Sequence, residues 1–230
     1  MRQGSWPRTI FTAILLSVFL LTGAVAVPLL WRGFYYGQIE PLNLVARSGF
    51  SPVVIREAFD QVMDFLVFGK DYGTGQLRSS AEGMAHFADC QFLFRVDFIV
   101  AAVTGVILLI LLIRALTSPA FRKKFAFSVP LMSLFILGGI FLILGVWALV
   151  NFTSLFTVFH HIAFPGKSNW LFDYRTDQII LILPEDFWVR VAALVAGVAL
   201  GGAALLSALH GLLHLKWRPK SVYEELINLE

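Results

Sequence analysis

Four apolar stretches, each long enough to cross a membrane as a helix, constrain this chain more than any other feature. They run over about residues 9–30, 96–116, 128–152 and 187–213. A hydrocarbon core of roughly 30 Å takes about 20 apolar helical residues. Lipid offers no hydrogen bonds to a free backbone, so such stretches must close their own bonds as helices. The expectation is an all-α membrane protein: one membrane domain, residues 1–230, with four transmembrane helices. The composition agrees, since 58% of residues are hydrophobic and only 14% charged.

The first stretch raises a second possibility. Arg2 and Arg8 precede it, and Ala24-Val25-Ala26 has the small-x-small pattern of a signal-peptidase site. The apolar run continues through Val27 to Trp31, so it reads as an uncleaved anchor, with cleavage as the alternative.

Basic residues set the expected orientation. Arg2 and Arg8 precede the first span. Arg114, Arg122, Lys123 and Lys124 lie between the second and third. Lys216, Arg218 and Lys220 follow the fourth. The positive-inside rule puts these segments, and both termini, in the cytoplasm. The loops at about 31–95 and 153–186 then face outward. Trp31, Trp170 and Trp188 suit an aromatic belt at that interface. The net charge of +3 is modest and its basic residues flank spans, so no nucleic-acid partner is expected.

The first outer loop contains helices of its own. Ser51-Pro52 before VVIREAFDQVMDFL reads as a capped amphipathic helix with Val54, Phe59, Val62, Met63 and Leu66 on its apolar side. Ser79-Ser80-Ala81-Glu82 matches a capping box, so a second helix starts there and runs into the second span. Gly197, Gly201 and Gly202, with Ala193 and Ala203, offer a small-residue face for helix packing. Gly105 and Gly138-Gly139 offer another.

The chemistry-bearing residues are few. His86 and Asp89 are three apart and share a helical face, where a carboxylate can set an imidazole's tautomer. A surface or capping pair is the plainer reading. His160 and His161 lie at the outer end of the third span. Adjacent helical residues point about 100° apart, so one of them at most faces the side that His86 faces. Asn169, Asp173 and Asp177 are turn formers and also possible partners for a cation. Pro184-Glu185-Asp186 suits a helix start, with acids at the positive dipole end. His210 and His214 are four apart but have no third ligand in view. Cys90 is the only cysteine, so no intramolecular disulfide and no cysteine-rich metal site is expected. It lies one turn after His86, which suits catalysis or plain packing. There is no G-x-S-x-G elbow and no Walker loop.

Longer patterns carry a resemblance. S-x-E-G-x-x-H-x-x-D ends at Asp89. F-H-x-I-x-F starts at Phe159, W-L-x-D at Trp170, and T-D-x-I-I-x-x-L-P-E-x-F at Thr176. N-L-x-x-x-x-G-F-S starts at Asn43, and V-M-D-F-L at Val62. Together these resemble the bacterial lipoprotein intramolecular transacylase family over nearly the whole chain. The resemblance implies a reaction in the bacterial cytoplasmic membrane. The sn-2 acyl chain of a diacylglyceryl-cysteine lipoprotein moves to the α-amine of the same cysteine, giving the lyso-form. It implies His86 and His160 as the functional histidines. Asp89 is expected to orient His86. Asn169, Trp170, Asp173 and Glu185 are expected to hold the loop or the substrate amine. Diacylated lipoproteins and membrane lipid are the expected partners, and no cofactor or metal is implied. Two departures stand out: Cys90-Gln91 where the family usually has Val-Lys, and Ala163-Phe164 where it usually has Phe-Phe. The residues alone leave two rivals, a metal-dependent membrane hydrolase using His86, Asp89, His160 or His161, and a non-enzymatic accessory protein.

Overall fold

The computed structural model describes residues 4–216. Arg2, Arg218 and Lys220, used above for orientation, lie outside the described residues, as do the side chains of His214 and Lys216. The described residues form α1 (Trp6–Leu30), α2 (Arg32–Tyr36), α3 (Leu44–Ser48), α4 (Pro52–Phe68), α5 (Ala81–Thr117), α6 (Pro119–Arg122), α7 (Val129–Ala163), α8 (Ile179–Ile182) and α9 (Glu185–Lys216). Four of these, α1, α5, α7 and α9, have the length and hydropathy of membrane spans.

α1 is the centre of the bundle, because it packs against α5, α7 and α9. Small side chains allow this close approach. Ala24, Leu137, Ala199 and Ala203 form the buried seam. Ser17 and Ser133 share a 2.9 Å hydrogen bond between α1 and α7. Gly105 and Gly202 lie where an added Cβ would press on Phe19 and Leu20. The expected small-residue faces are corrected in part: Gly138, Gly139, Gly197 and Gly201 look into open space. Sequence spacing says which residues share a face but not which way the helix is turned.

At one end of the bundle sits a second core, built around the segment between α1 and α5. Ser51 caps α4 by accepting from Val54 N at 3.4 Å, and Pro52 opens its first turn. Ile55, Ala58, Phe59, Val62, Met63 and Leu66 are buried at helical spacing. Val54 packs at the edge of this cluster. Tyr35 stacks on Phe59 at 3.7 Å and its hydroxyl donates to Ile182 O at 2.9 Å. Phe187, in the first turn of α9, joins the same cluster. The cap is thereby fastened to the membrane bundle.

α5 is one continuous helix from this cap into the bundle, about 55 Å long at 1.5 Å per residue. Its cap is one residue later than the sequence suggests. Ser80, not Ser79, accepts from Gly83 N, while Ser79 Oγ pairs with Tyr72. α7 is broken once. Asn151 has extended backbone (φ −160°, ψ 90°), and its Oδ1 accepts from Ser154 N at 2.8 Å, so it caps a fresh helical segment. That segment, which ends at Ala163, is helix where the sequence predicts a loop from residue 153.

Candidate active site

The first turns of α5 and the last segment of α7 bring His86 and His160 together. Their ring centroids are 5.9 Å apart. Each is only 7% exposed. The walls are aromatic. Phe164 and Phe172 meet His86 edge-on at 4.9 and 5.4 Å, and Phe156 and Trp170 lie on His160 at 4.0 and 4.7 Å. His161 points away from the pair and is exposed, touching only the edge of Trp170 among these rings. Trp170 is thus part of this wall rather than only an interfacial belt residue.

His160 has a fixed tautomer. Its Nδ1 lies 2.7 Å from Phe156 O, and a carbonyl can only accept, so Nδ1 carries the proton and Nε2 keeps its lone pair. His86 Nε2 lies 3.4 Å from Cys90 Sγ, while its Nδ1 is enclosed and has no partner. Both rings stand above the apolar stretches of their helices. Burial pushes His86 down to about 4, and the neighbouring His160 adds to this. Burial also lowers His160, against the Phe156 carbonyl and with His161. Both imidazoles are therefore neutral near pH 7.

Asp89 does not bond to His86, contrary to the expected orienting role. Lys167 pairs with its Oδ1 and Asn169 Nδ2 donates to its Oδ2 at 3.1 Å. The lysine holds the carboxyl below its ordinary range. Only its through-space charge reaches His86. The reason is competition: an ammonium is a stronger partner for a carboxylate than a neutral imidazole. Asp89 therefore anchors the 164–178 loop.

That loop has a second anchor, expected from the sequence as a turn former or as a partner for a cation. Asp177 is 4% exposed and accepts from Ser80 N, Ser80 Oγ and Thr176 Oγ1, each at 2.8 Å. Arg78 adds bonds to Gln178 and Arg175 O. Asp173 makes a turn, accepting from Arg175 N, and lines an open cleft of about 440 Å³ with Glu82, Lys167, Asn169 and Thr176. Glu185 lies apart from the pair and accepts from Thr153 Oγ1 at 2.7 Å. Asp186 pairs with Arg47. So Trp170 and Asn169 belong with the histidines, directly or through Asp89, whereas Asp173 and Glu185 do not. Phe156, Phe172 and Lys167 are not marked in the sequence as site residues, because apolar and loop residues there carry no spacing signal, and Phe164 is marked only as the end of the F-H-x-I-x-F pattern. Among the described residues, no three His, Cys, Asp or Glu side chains gather as a metal site.

The sequence model of lipoprotein intramolecular transacylase Lit matches residues 10–188. The chain belongs to that family. It is therefore an acyltransferase, and a multi-pass membrane protein. The structure is similar to lipoprotein intramolecular transacylase Lit from Bacillus cereus, with a TM-score of 0.73 and 24% identity over 90% of this chain and 94% of that one. A histidine-to-arginine variant of the same bacterial protein gives 0.68 at 22% identity, covering 90% and 91%. At such identity the likeness speaks for the fold. No curated relative matches the chain.

Proposed function

We propose that this transacylase moves the sn-2 acyl chain of a diacylglyceryl-cysteine lipoprotein to that cysteine's own α-amine, at the outer face of the bacterial cytoplasmic membrane. The observation that carries the reading is the buried, neutral His86–His160 pair at the outer ends of two spans. Arg8, Arg114, Arg122, Lys123 and Lys124 at the opposite end support the outward orientation.

The reaction needs a base, an acid and little else. Donor ester and acceptor amine sit on one molecule, so the substrate supplies its own proximity. As the amine nitrogen attacks the ester carbonyl carbon, His160 Nε2 takes the amine proton. The bond from that carbon to the glyceryl oxygen breaks, and His160 returns the proton to the oxygen. One histidine serves both directions because its Nδ1 stays on Phe156 O throughout. His86, held neutral, contributes hydrogen bonding to the reacting carbonyl rather than a proton of its own. Trp170 and Asn169 hold the substrate against the pair, while Asp173 and Glu185 act from further away, on the cleft and on α7.

The test is mass spectrometry of a lipoprotein's N-terminal peptide from cells lacking their own N-acylation step. With the protein present, the expected product is N-acyl, S-monoacylglyceryl-cysteine. The product should vanish in His86→Ala and His160→Ala. Full transfer in both variants would sink the proposal.

A further inference from the structure

Resting on that acyl-transfer reading, we infer that Cys90 is a positioning residue: its thiol proton donates to His86 Nε2 and so turns an Nδ1–H toward the ester carbonyl oxygen. The contact is a short one, 3.4 Å from Sγ to Nε2, between residues one helical turn apart. Two arrangements fit it. The ring can donate to sulfur, or sulfur can donate to the ring. Sulfur is a poor acceptor and an imidazole lone pair is a good one, so the second is stronger. Burial holds the thiol up at about 12, so it keeps its proton at any pH the enzyme meets.

The independent observation is His86 Nδ1. The ring is 7% exposed, and this nitrogen has no hydrogen-bond partner. A buried nitrogen without a partner is costly unless something arrives to satisfy it. With Nε2 accepting from Cys90, Nδ1 is a donor, and the partner it requires is an acceptor. The oxygen of a reacting ester is such an acceptor, and it grows more negative as the amine attacks. No proton leaves His86 in this step. The amine proton travels through His160 alone, so the balance of the reaction is unchanged. The other charged groups that reach His86 are His160 from α7, Lys167 from the 164–178 loop and Asp89 on its own helix. None of them bonds to the ring.

The experiment uses the purified full chain, a diacylated lipopeptide, and imidazole ¹⁵N NMR of the resting enzyme. Cys90→Val keeps the bulk and removes the donor, while Cys90→Ser keeps a donor. Expected for Cys90→Val are a kcat about tenfold lower, an unchanged KM and a His86 signal moved away from the pure Nδ1–H tautomer. Cys90→Ser should restore both the tautomer and most of kcat. A wild-type His86 carrying its proton on Nε2, or a Cys90→Val enzyme with wild-type tautomer and kcat, would overturn the inference. If the wild type itself converts no lipopeptide, the acyl-transfer reading fails, and the NMR arm still decides the thiol contact.

Discussion

His160 donates its Nδ1 proton to the carbonyl oxygen of Phe156, four residues earlier on the same helix, at 2.7 Å. This bond leaves Nε2 as the one site on the ring that can receive a proton. His160→Ala should therefore lower acyl transfer by about 100-fold or more, on the scale of general acid–base catalysis. His161→Ala should stay within a few-fold, because that ring is exposed and turned from the pair. Lipopeptide turnover by the two purified variants checks the contrast.

The pH response follows from burial. In the proposed reaction His160 acts while neutral, and its pKa is lowered from the ordinary 6.5. The acid limb that belongs to His160 should therefore lie below pH 6.5. The positive form of His161 helps to lower His160, so His161→Ala should move this acid limb upward. A pH–rate profile of the two proteins reads the shift.

Stability should also depend on acid. His86 titrates at about 4 when folded and near 6.5 when unfolded. Between those values the unfolded chain binds more protons, so stability falls as the pH drops from 6.5 through 4. Thermal melting in detergent should show this loss, and His86→Phe should reduce it.

Asp177 and Gly83 form one device. The Asp177 carboxylate receives Ser80 N and Oγ, and a Cβ on Gly83 would collide with its Oδ1. Asp177→Ala should cost about 1–3 kcal/mol by leaving buried donors unpaired. Gly83→Ala should mimic it without removing any polar group. Protease cleavage within residues 164–178, compared before and after each change, tests whether the loop has lifted.

The Asp89–Lys167 pair is half in water, and such pairs add about 1 kcal/mol or less to stability. Its value is positional, because Asn169 shares the carboxylate and Trp170 follows directly. Lys167→Met should barely change the melting temperature yet reduce turnover several-fold. In Asp89→Asn/Lys167→Met the loss should be no greater than in the worse single variant. Equal activity in all these proteins would show that the loop docks without the pair.

Much of this was legible in the sequence because it depends on local pattern. Span length, the Ser51-Pro52 start and the spacing of Phe59, Val62, Met63 and Leu66 need only the pitch of a helix and the apolarity of lipid. The long motifs around His86 and His160 mark two residues that the fold brings together. What the sequence could not give was rotation and rivalry. Asp89 shares a helical face with His86, yet a lysine from 78 residues away takes the carboxylate. Gly197 and Gly202 look alike in the chain, but only Gly202 meets a neighbouring span closely. Asn151 reads as one polar residue in an apolar run, and the fold uses it to cap the segment that carries His160. A side chain's partner is whichever group the assembled helices bring within reach and charge favours most, so local periodicity determined the elements and tertiary packing alone decided their chemistry.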